Sequence, residues 1–148
     1  MLGMFADFLK KLTASEPAQL VDADARLALA ALLVRIARAD QDYAATEIDQ
    51  IDRILSQRYA LSATDAVTLR KEAEVLEAEA PDTVRFTRAI KDAVIYEDRV
   101  QIIEALWHVV LADGSKDHEE SALLRLIAPM LGINDRDSAL ARQRVEAQ

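Results

Sequence analysis

The sequence predicts an all-α protein, a compact helical bundle of about seven or eight helices. Three observations carry this. Only three Gly and three Pro occur in 148 residues, too few turn formers for a many-stranded sheet. Ala, Leu, Glu and Arg, all strong helix formers, dominate the composition. The apolar residues recur at spacings of three and four, the period that places them on one face of a helix.

The elements follow in order. From Met1 to Thr13, Leu2, Phe5, Leu9 and Leu12 form one stripe, widened by Met4 and Phe8. This N-terminal amphipathic helix, residues 1–14, docks on the core or serves as an arm for a partner or a membrane surface. A second helix is expected from Asp24 to Ala39 on the stripe Leu29, Leu32, Leu33 and Ile36, with Asp22 or Asp24 as N-cap. Asp42 is placed to cap a third, Tyr43 to Tyr59, whose stripe is Ile48, Ile51 and Ile54/Leu55.

Ser62-x-x-Asp65 has the form of a capping box opening a polar helix to about Glu77, and Pro81 marks a boundary before Thr83 to Val94. Ile102, Ile103, Leu106, Val109 and Val110 predict a helix from Asp98 to Ala112. Leu123, Leu124, Ile127 and Leu131 predict the next, stopping at Gly132. Asn134-x-x-Asp137 caps the last, whose polar tail to Gln148 should fray. The whole, residues 1–148, is expected to be one domain, long enough to bury a core without disulfides.

The formal charge of −8 repels a phosphate backbone, and no Lys/Arg run offsets it, so nucleic acid is not an expected partner. There is no cysteine, which removes thiol catalysis and thiolate metal sites. No apolar run reaches bilayer-spanning length and no leader pattern stands at the N-terminus, which predicts a cytoplasmic protein without a transmembrane segment. No nucleophile elbow, phosphate-binding glycine loop or dinucleotide fingerprint is present, so an enzyme is not expected. Glu104 and His108 lie four apart, not at the Glu-x-x-His spacing of di-iron bundles, and His108 reads as a residue at the edge of the core. Trp107 reads as core beside Leu106 and Val110.

Sliding the chain against itself by about seventy residues brings Ile36-Ala37-Arg38-Ala39-Asp40 onto Val109-Val110-Leu111-Ala112-Asp113. Leu33 then meets Leu106, Glu47 meets Glu120, Ile51 meets Leu124 and Ile54 meets Ile127. The sequence thus reads as a helix-loop-helix duplication, with pseudo-repeats at about 25–60 and 98–133 and a carboxylate pair, Asp-x6-Glu, in each copy. Asp40, Asp42 and Glu47 form one oxygen-donor set and Asp113, Asp117 and Glu120 the other. Both suit a hard divalent cation, Ca²⁺, Mg²⁺ or Mn²⁺. The same acids also suit ordinary work at helix N-termini, where caps and the helix dipole favour them. Both readings stay open on the residues alone.

From Ala25 to Ile133 the chain resembles the tellurite-resistance TerB family and the related N-terminal domain of membrane-anchored DjlA-type co-chaperones. The resemblance lies in an apolar helix ending in Ala-Asp-Gly, a short loop, and a Glu opening the next helix, twice. Here it stands as Ala39-Asp40-Gln41-Asp42 with Glu47, and as Ala112-Asp113-Gly114-Ser115 with Glu120, preceded by Ile102-Ile103-Glu104-Ala105-Leu106-Trp107. It implies an α-helical domain, acidic loops proposed to bind divalent cations, and a stress-response role beside the membrane. A protein partner, membrane-associated or not, is implied as well; self-association is left open. The alternative is a metal-independent interaction or co-chaperone accessory module. Gln41 departs from the family's glycine, so the first loop is expected to differ in shape.

Overall fold

The computed structural model describes residues 22–39, 41–79, 83–112 and 118–148. The described residues form seven helices and no strand: α1 (Asp22–Ala37), α2 (Ala45–Tyr59), α3 (Ala63–Glu79), α4 (Thr83–Ala93), α5 (Tyr96–Val110), α6 (His118–Met130) and α7 (Asp135–Glu146). The expected N-terminal helix of residues 1–14 and the boundary at Pro81 lie outside the described residues.

Helix α1 is apolar around its whole circumference, and such a helix has to be enclosed. Every residue from Leu27 to Val34 is fully buried, as are Ile36 and Ala37, and α2, α3, α4, α5 and α6 all pack against it. Its alanines at 28, 30 and 31 leave room for that many neighbours. Helix α5 is the second hub, burying Ile102, Ile103, Leu106, Trp107, Val109 and Val110 against α1, α2, α6 and α7.

Each helix-loop-helix pair is followed by a further helix that folds back on the first member of its pair: α3 on α1, and α7 on α5. Both returns are built alike. After α2, Ala60 takes a left-handed backbone (φ 52°) and the Leu61 N–H donates to the Ser56 carbonyl at 3.0 Å. After α6, Gly132 does so (φ 76°), with the Ile133 N–H on the Ala128 carbonyl at 3.0 Å. These are Schellman ends, in which a left-handed residue lets the next N–H reach back over the last turn. The Ser62 Oγ then accepts from the Asp65 N–H at 3.1 Å and the Asn134 Oδ1 from the Asp137 N–H at 2.7 Å, opening α3 and α7. The stop at Gly132 and the caps at Ser62 and Asn134 are where the sequence places them.

Two expectations need correction. Helix α1 already includes Asp22 and Asp24, so neither is the residue ahead of it. Asp42 does not cap α2: the N-cap is Ala44, which makes no side-chain cap bond, and Asp42 lies two residues upstream, exposed. In α7, Ala141 and Val145 are buried and the Arg144 Nε donates to Glu104 Oε1 at 2.6 Å, while Glu146, Ala147 and Gln148 are exposed.

Candidate functional site

The two inter-helix loops follow α1 and α5, and each leads into a helix whose third residue is a glutamate: Glu47 in α2 and Glu120 in α6. Both are 1 % exposed. Among the described residues these two are the only buried acidic or basic side chains, Thr87 being the one other buried polar residue. Carboxylates are almost never enclosed to this degree unless paired, hydrogen-bonded or bound to a cation. Matched apolar residues beneath them are buried too: Leu33 and Leu106, Ile36 and Val109, Ile51 and Leu124, Ile54 and Ile127.

The Glu47 carboxylate turns back on its own helix end, where its Oε1 accepts from the Ala44 N–H at 3.3 Å. This is the glutamate half of a capping box, satisfying a donor that the start of a helix leaves over. Of the six expected donors, the structure therefore describes three: Glu47 and Glu120, buried, and Asp42, exposed. Asp40, Asp113 and Asp117 lie outside the described residues, as does Ser115. Among the described residues alone, no group of three or more His, Asp or Glu side chains could hold a metal ion.

In the first loop Gln41 has φ 66°, a left-handed conformation that costs an L-residue roughly 1–2 kcal/mol. The chain that follows it is braced by side chains at the end of α1 and in α3. Arg38 lies 5.0 Å over the Tyr43 ring, and the Tyr43 hydroxyl donates to Glu74 Oε2 at 2.7 Å. Burial first, and then the bond to Glu74, push this hydroxyl's pKa well above its ordinary value, so Tyr43 stays a donor at neutral pH. Arg38 and Arg35 also bridge to Glu77, at 3.4 and 3.5 Å. Arg70 ties Glu74 to Asp52 on α2, at 2.9 and 2.5 Å. The acidic side of α3 therefore clamps the first loop. Sequence reasoning missed Tyr43, Arg70 and Glu74 because their partners lie 18 to 31 residues away in the chain. Only the i, i+4 spacing of Arg70 and Glu74 was legible beforehand.

The remaining candidates resolve simply. Trp107 is buried, 3 % exposed, with the Arg142 guanidinium 4.9 Å over its ring. Glu104 is held by Arg144, and half-buried His108 lines a groove between α2 and α5. Among the described residues no helix is long and apolar enough to cross a membrane.

Fold and site together define a class: an all-helical bundle with two inter-helix loops, each leading to an enclosed glutamate at the start of the next helix. A family model described as "Tellurite resistance protein TerB" matches residues 26–143. The chain belongs to the TerB family. No curated protein and no solved structure matches it.

Proposed function

We propose that this chain is a non-catalytic adaptor of the TerB family, linked to tellurite and other stress responses, whose two acidic loops take up a divalent cation. The burial of Glu47 and Glu120, at equivalent positions in two different helices, is the observation that carries the reading. One enclosed carboxylate is a packing accident; two at the third position of paired helices are a design. Asp40, Asp42 and Glu47 would hold one cation and Asp113, Asp117 and Glu120 another. Their all-oxygen chemistry fits Ca²⁺, Mg²⁺ or Mn²⁺. The cation would supply positive charge to carboxylates that are otherwise costly to enclose. The chain's own residues would order the loops around it, the first through the Tyr43–Glu74 clamp, and so alter the face offered to a protein partner.

A second reading has its own observation. The Glu47–Ala44 bond shows that a glutamate here has work to do without a metal, which favours a constitutive, metal-independent interaction module of the co-chaperone accessory type.

Thermal melts in chelator and with Ca²⁺, Mg²⁺ or Mn²⁺ added separately distinguish the two. A cation at a hundredfold excess over its Kd stabilises by about 2.7 kcal/mol, a rise in Tm of roughly 5–10 °C for a chain of this size. The cation reading expects a rise of that order for one ion, lost in Glu120→Gln. Unchanged melts with every cation, together with no heat of binding, would leave the glutamates as caps and the second reading standing.

A further inference from the structure

The loops occupy one end of the molecule, where α1 and α5 finish and α2 and α6 begin. Away from them the charge chemistry differs. A cavity of about 440 Å³ between α2 and α5 is lined by Gln57, Arg58, Tyr59, Asp98, Gln101 and His108 among others. A second, of about 300 Å³, is lined by Arg26, Arg58, Tyr59, Ile95 and Asp98. The two share Arg58, Tyr59 and Asp98, so they adjoin at the end of α2, the start of α1 and the α4–α5 turn, and the larger one runs on along α5 as far as His108. Tyr59 stands twelve residues beyond Glu47 on α2, about 18 Å away at 1.5 Å per residue.

Two guanidiniums meet over one ring in this groove: Arg26 lies 4.7 Å and Arg58 5.8 Å from the Tyr59 centroid. Among the described residues neither joins an ion pair. At the loop end, by contrast, Arg35, Arg38 and Arg70 are all bridged to carboxylates. Arg58 makes a long bond to Gln101 Oε1 at 3.4 Å, and among the described residues its buried Nε has no acceptor. Guanidiniums held against an aromatic ring are partly ordered already, so pairing them with a carboxylate costs less side-chain entropy than pairing a free arginine. Among the described residues the only carboxylate lining the groove is Asp98, which gives that lining a positive excess on a protein of charge −8. Ile95, 66 % exposed, offers an apolar contact at the rim.

We propose that this groove docks an acidic linear segment of a partner protein, with Arg26 and Arg58 taking its carboxylates, Gln57 and Gln101 bonding its backbone, and Ile95 taking an apolar side chain. The proposal rests on the adaptor reading but not on cation binding, since Arg26, Arg58 and Tyr59 lie at the ends of α1 and α2 away from the loops. A polyanionic nucleic acid fits less well, because the rest of the surface repels it.

The test uses the full chain in chelator, with a fluorescein-labelled dodecapeptide of Glu, Leu and Ala, the same peptide with Lys for Glu, and a single-stranded oligonucleotide, read by anisotropy. The acidic peptide alone should bind, more weakly as salt rises. Binding should fall about tenfold in Arg58→Gln and in Arg26→Gln, the loss of one charge-assisted bond, and be unchanged in Arg136→Gln, at an exposed arginine outside the groove. In the wild type, the bound peptide should shift amide resonances at 57–59 and 95–101, a readout that does not depend on any variant folding. Equal binding of the acidic and basic peptides, binding of the oligonucleotide instead, shifts elsewhere, or no binding at all would overturn it. A cation response that persists beside such a failure would leave the loop reading intact.

Discussion

Gln41 shows how a single residue can carry a loop against its own preference. An L-residue at φ 66° crowds its Cβ against the following carbonyl, yet Arg38, Tyr43 and Glu74 hold the flanking chain where the left-handed turn is needed. Replacing Gln41 by Gly should therefore stabilise the protein by about 1 kcal/mol, the relieved strain less the added freedom of the unfolded chain, measured as a higher denaturation midpoint at unchanged slope. A loss of stability would mean that the Gln41 side chain itself holds the loop. The departure from glycine was legible in the sequence; its outcome was not. Whether a loop reroutes or strains depends on the stiffness of what surrounds it, and here that stiffness comes from α3, more than thirty residues on.

At the scale of the element, the helix ends were the most readable features, because capping is local chemistry. Ser62 and Asn134 meet backbone donors three residues ahead, and Gly132 supplies the left-handed turn that ends α6. Asn134→Ala should cost about 1 kcal/mol, and Ser62→Ala a similar amount. Chemical denaturation would check both, and an effect near zero in each would show that α3 and α7 are held by their packing alone. The cap assigned to Asp42 failed for an instructive reason. A good capping residue was present, but the helix begins three residues later, where Ala44 offers no oxygen and Glu47 satisfies the end from inside the first turn. The polar periodicity of α7 also hides Ala141 and Val145, which pack against the rest of the bundle.

For the whole molecule, the central question is how α1 can be apolar on every face. It is enclosed by five other helices, so a methylene lost there has no surface to relax toward. Leu32→Ala is expected to cost about 2–5 kcal/mol, a large share of the roughly 5–15 kcal/mol available to a domain, with equilibrium unfolding in denaturant as the check. A cost below about 1 kcal/mol would mean that the surrounding helices close the gap. The same enclosure sets the two ends of the molecule apart. Helix α1 runs from Arg26 to the first acidic loop, so the paired arginines over Tyr59 and that loop are separated by a close-packed core.

The sequence by itself determined the helical class, most of the helix ends, the internal likeness of the two helix-loop-helix segments and the family, because period, capping and loop spacing are properties of neighbouring residues. It also singled out Glu47 and Glu120. Only the tertiary structure decided that these two are enclosed while Asp42 is exposed, that α3 clamps the first loop, and that Arg26 and Arg58 converge on Tyr59. Burial and long-range pairing depend on which helices come together, and the energy deciding that is shared over the whole core rather than written in any one segment.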